Sequence, residues 1–130
     1  MPAPSERRRA PRTQVKRLTV LYHPQFDPRD VLHAQPDHKC VALDLSKFGL
    51  SIAVRFPLDP GVKLHLTLEV PALKQEIGLR GEVVRCVEIP ARPGGEPSFA
   101  LGISILHAEP DFHRLLERMQ TDQRLRLGGF

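Results

Sequence analysis

Arginines crowd the start of this chain: Arg7, Arg8, Arg9 and Arg12 lie within six positions of one another. A guanidinium stays charged at any biological pH and presents a planar fork of donors, the geometry that grips phosphate or carboxylate oxygens. Pro2, Pro4 and Pro11 disfavour helix here, and Pro11 biases Ala10 toward an extended conformation. In an extended segment Arg8 and Arg12, four residues apart, point to the same side. Their Cα atoms then lie at most roughly 13 Å apart. Two such groups can bracket a small ligand that carries several anionic or acceptor groups. A second polar stretch, Asp44-Leu45-Ser46-Lys47-Phe48-Gly49, separates the apolar runs Val41–Leu43 and Leu50–Val54. Asp44 and Ser46 suit a turn because their side chains can hydrogen-bond nearby backbone. Gly49 suits it if the turn requires a positive φ.

The charge is unevenly placed. Residues 1–17 hold six basic residues against Glu6 alone, a net of +5, whereas the remainder holds thirteen basic and fourteen acidic residues, a net of −1. The overall +4 therefore belongs to the arm, and the body is close to neutral. Such an asymmetry points to an anionic partner, either nucleic acid or a phosphorylated small molecule.

At 130 residues with 41% apolar and 26% charged content, the chain reads as one soluble domain with an ample core. No run approaches the roughly 20 apolar residues needed to span a bilayer, and the Pro- and Arg-rich start is not a secretory signal. A cytoplasmic protein without membrane insertion is expected. Cys40 and Cys86 fall in predicted strands, where free cysteines act as small buried hydrophobes. The six histidines (His23, His33, His38, His65, His107 and His113) show no zinc-ligand spacing. No nucleophile stands beside a base and no glycine loop cradles phosphate, so neither a metal site nor enzymatic activity is expected.

The elements that position these groups read as β. Leu18, Val20 and Tyr22 alternate along a first strand, followed by a Pro-rich loop over 24–38 with a turn of helix at 29–34. Strands two and three flank the Asp44–Gly49 turn. Residues 62–70 alternate most clearly, with Val62, Leu64, Leu66, Leu68 and Val70 inward. A fifth strand covers 76–88, where Gly78 or Gly81 marks a bulge or close packing. A sixth, 99–106, places Phe99, Leu101, Ile103 and Ile105 on one face. Six short strands without intervening helices predict an antiparallel barrel or sandwich. Pro110 then opens a helix whose Phe112, Leu115, Leu116 and Met119 form one apolar stripe, ended by Gly128-Gly129. That stripe is expected to pack on the barrel.

With Arg8-Arg9-Ala10-Pro11-Arg12 and Asp44-Leu45-Ser46-Lys47-Phe48-Gly49 on such a body, the chain resembles the PilZ domain family. Its signature is RxxxR near the N-terminus followed by [D/N]xSxxG between strands two and three. Leu79–Val84 and Ala100–Ile103 look like the family's fifth and sixth strands. The resemblance implies a mainly β fold: a six-stranded antiparallel barrel (residues 14–109), a flexible arm (1–13) and a C-terminal helix and tail (110–130). It implies binding of the bacterial second messenger cyclic di-GMP, with no other cofactor. Arg8 and Arg12 would meet guanine edges and phosphates, where a bidentate pair gives roughly 1–3 kcal/mol of discrimination. Asp44 would accept from guanine N–H groups or hold an arginine, Ser46 would bond a base or phosphate, and Gly49 would let the turn approach. An arginine before the motif, here Arg7, accompanies binding of an intercalated ligand dimer; Arg9 lies inside the motif. The chain has no tryptophan, and Arg85 falls near the place where some members stack an aromatic on guanine.

The expected function is therefore a cyclic di-GMP receptor that relays the signal to an unidentified downstream protein. The alternative is a non-binding PilZ-like interaction module of the type IV pilus kind, against which retention of both motifs counts. The third reading is a nucleic-acid-binding barrel. Such barrels pair basic grooves with exposed aromatics, and this neutral body with one tyrosine and six phenylalanines does not fit that pattern.

Overall fold

Apolar and polar residues alternate along almost every strand, and that period of two decides the architecture. The computed structural model describes residues 13–24 and 38–121. They form β1 (Thr13–Pro24), β2 (His38–Leu45), β3 (Gly49–Val54), β4 (Lys63–Val70), β5 (Gln75–Ile89), β6 (Ser98–Ala108) and α1 (Pro110–Thr121). A 3₁₀ turn, Pro71–Leu73, joins β4 to β5, and Lys74 after it takes a left-handed φ of 52°. The strands close into an antiparallel barrel in the order β1-β2-β3-β6-β5-β4, so β1 also pairs with β4 and no sheet edge is left open.

The inward faces are those that the sequence predicts. Leu64, Leu66, Leu68 and Val70 on β4 are buried and share one core with Leu18, Val20, Ile52, Leu101 and Ile103. Val62 lies just before β4, partly buried, and its carbonyl accepts from the Val83 N–H at 2.8 Å. Phe99 and Ile105 pack against the same core. Gly81 shows both features expected of a strand glycine. The β5–β6 register shifts at Arg80/Gly81, and a Cβ on Gly81 would fall 2.4 Å from Ile103 Cγ2.

A dozen residues are marginal as an isolated helix, so α1 depends on packing. Phe112, Leu115, Leu116 and Met119 are all buried within the barrel's core cluster, as the stripe predicts. Pro110 opens the helix, Asp111 stands in its first turn, and the Phe112 N–H donates to Glu109 O at 2.9 Å. Among the described residues no helix is long and apolar enough to cross a membrane. The loop interior 25–37, its expected helical turn at 29–34 and Gly128-Gly129 lie outside the described residues.

Both cysteines are free thiols; Cys40 is buried and Cys86 half-buried. Burial pushes the Cys40 thiol from 9.0 up to about 12. Folding thus favours the neutral thiol, a contribution complete below pH 9.0 and lost as pH climbs toward 12. At about pH 8 only about one part in ten thousand of Cys40 is thiolate, the reactive form. Iodoacetamide is therefore expected to alkylate Cys86 well before Cys40 in the folded protein. Mass mapping checks this, and equal labelling would contradict the burial of Cys40.

Candidate functional site

The Asp44–Gly49 turn owes its shape to one hydroxyl. Ser46 Oγ accepts the Gly49 N–H at 3.1 Å and donates to Gly49 O at 3.0 Å, while the Ser46 N–H donates to the same carbonyl at 2.8 Å. Ser46 is only 5% exposed. The single proton of its hydroxyl is already given to Gly49 O, so Ser46 serves this turn by holding it together rather than by offering a donor outward.

Gly49 has a different reason from the expected one. It does not have a positive φ; among the described glycines Gly61 and Gly94 do. What it needs is room. A Cβ there would sit 2.6 Å from the Ile103 carbonyl oxygen of β6, and main chain cannot swing aside as a side chain can. The next residues bind the turn to β6 as well, through an Ile105 N–H donated to Phe48 O at 2.9 Å. Gly49→Ala is expected to destabilise the fold by about 1–3 kcal/mol, lowering the melting temperature by about 4–11 °C. Thermal unfolding checks it; an unchanged midpoint would show that the close approach is absent in solution.

Strand register extends the site beyond the turn. Asp44 opposes Ser51 on β3, Ser51 opposes Gly102 on β6, and Gly102 opposes Arg85 on β5. Leu45, Leu50, Ile52, Leu101 and Ile103 point into the core, so these four residues form a row on the barrel's outer face. It spans three strand spacings, about 14 Å. Its two middle residues, Ser51 and Gly102, are themselves buried. A Cβ on Gly102 would meet Arg85 Cβ and Nε at 3.4 Å and Nη2 at 3.5 Å, so the arginine side chain lies over Gly102 of β6. Asp44 is half-buried and Arg85 exposed. Neither Ser51 nor Gly102 was expected from sequence, because only register reveals them.

The arginine arm itself, with Arg7, Arg8, Arg9 and Arg12, lies outside the described residues. The first described residue, Thr13, pairs with Leu45, between Asp44 and Ser46. The chain therefore enters the barrel beside the turn.

Residues 6–121 match the family model for the PilZ domain. The chain belongs to the PilZ domain family. Three solved structures share its fold at low identity. The PilZ domain with c-di-GMP of YcgR from Escherichia coli superposes with a TM-score of 0.66 at 14% identity, covering 91% of this chain and 95% of that one. The K. pneumonia MrkH–c-di-GMP complex gives 0.63 at 16%, over 90% of this chain and 51% of the other. The Bacillus subtilis inhibitor of motility (MotI/DgrA) gives 0.61 at 14%, over 89% and 53%. This chain thus spans about half the length of the latter two. No curated protein matches it. The six-stranded barrel with its C-terminal helix is the PilZ fold, as the motifs imply.

Proposed function

We propose that this PilZ domain binds cyclic di-GMP between its arginine arm and the outer face that runs from Asp44 to Arg85. The observation that carries this reading is the register of Thr13 against Leu45. Arg12 precedes Thr13, so its Cα is within about 3.8 Å of a residue paired to the turn, and Arg8 is within about 18 Å. Covalent connection alone keeps both motifs within reach of one ligand.

In this reading Arg8 and Arg12 supply bidentate donors to guanine edges and phosphates. Asp44 accepts from guanine N–H groups or orients an arginine. Ser46 and Gly49 fix the turn, Gly49 by letting it lie against β6. Arg85, flat over Gly102, offers a planar cation on which a base can stack. Arg7 favours two intercalated ligands per chain, and Arg9 adds positive charge. A ligand that bridges arm and turn changes the surface at this end of the barrel, which a downstream protein can read as a shift between two states.

Calorimetric titration with cyclic di-GMP tests the proposal. Saturable binding in the micromolar range or tighter, roughly −8 kcal/mol or better, with two ligands per chain, is the expected result. A stoichiometry of one would remove the dimer and leave the receptor. No heat and no thermal stabilisation at about millimolar ligand would overturn the whole reading, since ligand at many times its dissociation constant must raise stability.

A further inference from the structure

A second row crosses β1, β4, β5 and β6. His23 on β1 opposes His65 on β4, His65 opposes Arg80 on β5, and Arg80 opposes His107 on β6. Their neighbours Tyr22, Leu64, Leu66 and Leu79 are buried, so this row also faces outward. It lines a pocket of about 360 Å³. Along β5 it lies five residues from Arg85, at most about 17 Å away, and on β1 it lies at the far end from Thr13. It is separate from the surface proposed for cyclic di-GMP, and its argument stands without that reading.

The composition of the row is unusual for a solvated strand face. One permanent cation, Arg80, sits between two imidazoles whose Cα atoms are roughly 5 Å away on either side. Beyond His65, the His23 ring stacks on it, with centroids 5.1 Å apart and planes at 29°. Arg80 makes no ion pair with any described residue. The remaining charged group that faces the pocket is Glu109, at the β6–α1 junction. Its carboxylate is folded over Gly78, with Oε1 2.8 Å from where a Cβ on that glycine would stand. Gly78 therefore leaves room for the Glu109 side chain, whose carboxylate opposes any anion that enters.

A metal ion is not the fitting occupant. Arg80 stands at the centre, and no group of three or more His, Cys, Asp or Glu among the described residues could hold a metal ion. An apolar ligand would have to strip water from the arginine. We infer that this pocket is a proton-linked site for a tetrahedral oxyanion of the phosphate class, held by Arg80 between His65 and His107, with His23 supporting the His65 ring. The source of the group is either a free phosphorylated small molecule or a phosphorylated side chain.

The physics supplies the proton linkage. Burial, then His23, then Arg80 push the His65 pKa below its ordinary 6.5, so without a ligand the ring tends to stay neutral. A dianion reverses the electrostatic balance and raises the pKa. Binding must then take up protons, and affinity must rise as pH falls.

Histidine ring signals followed by NMR against pH test this. Sulfate is the first probe because its charge stays constant over the range, and chloride at equal ionic strength is the reference. Sulfate is expected to raise the apparent pKa of His65 by about half a unit or more, while the ring signals of the exposed His113 on α1 are the same in sulfate and in chloride. Each half-unit rise of a histidine pKa should increase its affinity by up to about threefold from about pH 8 to about pH 6. Arg80→Gln should abolish the rise, and Glu109→Gln should enlarge it. Inorganic phosphate and phosphoserine then separate the two sources, the tighter probe naming the source. Equal movement of His113, or a rise that survives Arg80→Gln, would overturn the site. Retained cyclic di-GMP binding in Arg80→Gln would confirm that the two surfaces are distinct, and its loss would refute that.

Discussion

Arg8→Ala combined with Arg12→Ala is expected to remove measurable cyclic di-GMP binding while leaving the melting temperature nearly unchanged. In the proposed complex each guanidinium replaces water on a guanine edge or phosphate, and each such bidentate contact is worth roughly 1–3 kcal/mol. Losing both weakens binding by roughly thirtyfold to twenty-thousandfold, which takes a micromolar ligand to the edge of calorimetric range or beyond it. Stability should hold because the core of the described residues comes from the six strands and α1. Arg7→Ala should behave differently, keeping binding but reducing two ligands per chain to one. Calorimetry on the three proteins beside the wild type reads all of this. Unaltered affinity in the double variant would show that RxxxR does not form the site, whatever the barrel binds.

Much of the fold was legible from period alone. The run Leu64-His65-Leu66-Thr67-Leu68-Glu69-Val70 alternates too strictly to be anything but a strand with one face in a core, although His65, Thr67 and Glu69, expected to face water, are half-buried. The stripe Phe112, Leu115, Leu116 and Met119 was equally plain, because its spacing fits only a helix with one buried side. Register was not legible, since a sequence states which residues point inward but not which stand opposite one another. That is why Ser51 and Gly102 escaped notice, and why the His65–Arg80–His107 row emerged only from the paired strands. Gly49 is instructive for another reason. Its type was right and its cause was wrong: the residue is small because the Ile103 carbonyl is close, not because its φ is positive. Ser46 likewise belongs to the motif, yet its hydroxyl is consumed within the turn.

The same division explains how a chain only 14–16% identical to the three solved structures keeps their barrel. Inward positions tolerate any well-packed set of Leu, Ile and Val, whereas the outer rows are free to vary without touching the core. The proposed site sits on the outer face and the arm, and the fold alone does not specify function. On this chain two rows of very different chemistry share β5 and β6: one has Arg85 laid over a glycine, and the other has Arg80 between histidines.

Phe112→Ala should produce the largest loss of stability. The ring is fully buried, and it enters the same cluster as Leu18, Val70 and Ile77. Truncating a buried phenylalanine removes its transfer energy and leaves a cavity, together about 3–5 kcal/mol. For a chain of this length that is a fall of about 11–18 °C in melting temperature. The loss should fall first on α1, because twelve residues do not hold a helix without a partner surface. Far-ultraviolet circular dichroism would then show helical signal melting ahead of the β signal. His113→Ala, changing an exposed neighbour, should shift the midpoint by no more than about 1–2 °C. A small shift for Phe112→Ala would mean that the helix is not part of the barrel's cooperative unit. Below the new midpoint the variant should still bind cyclic di-GMP, because the row from Asp44 to Arg85 is built on strands that Phe112 does not supply. If binding vanished in a protein whose β signal remained intact, α1 would have to be counted as part of the ligand's site.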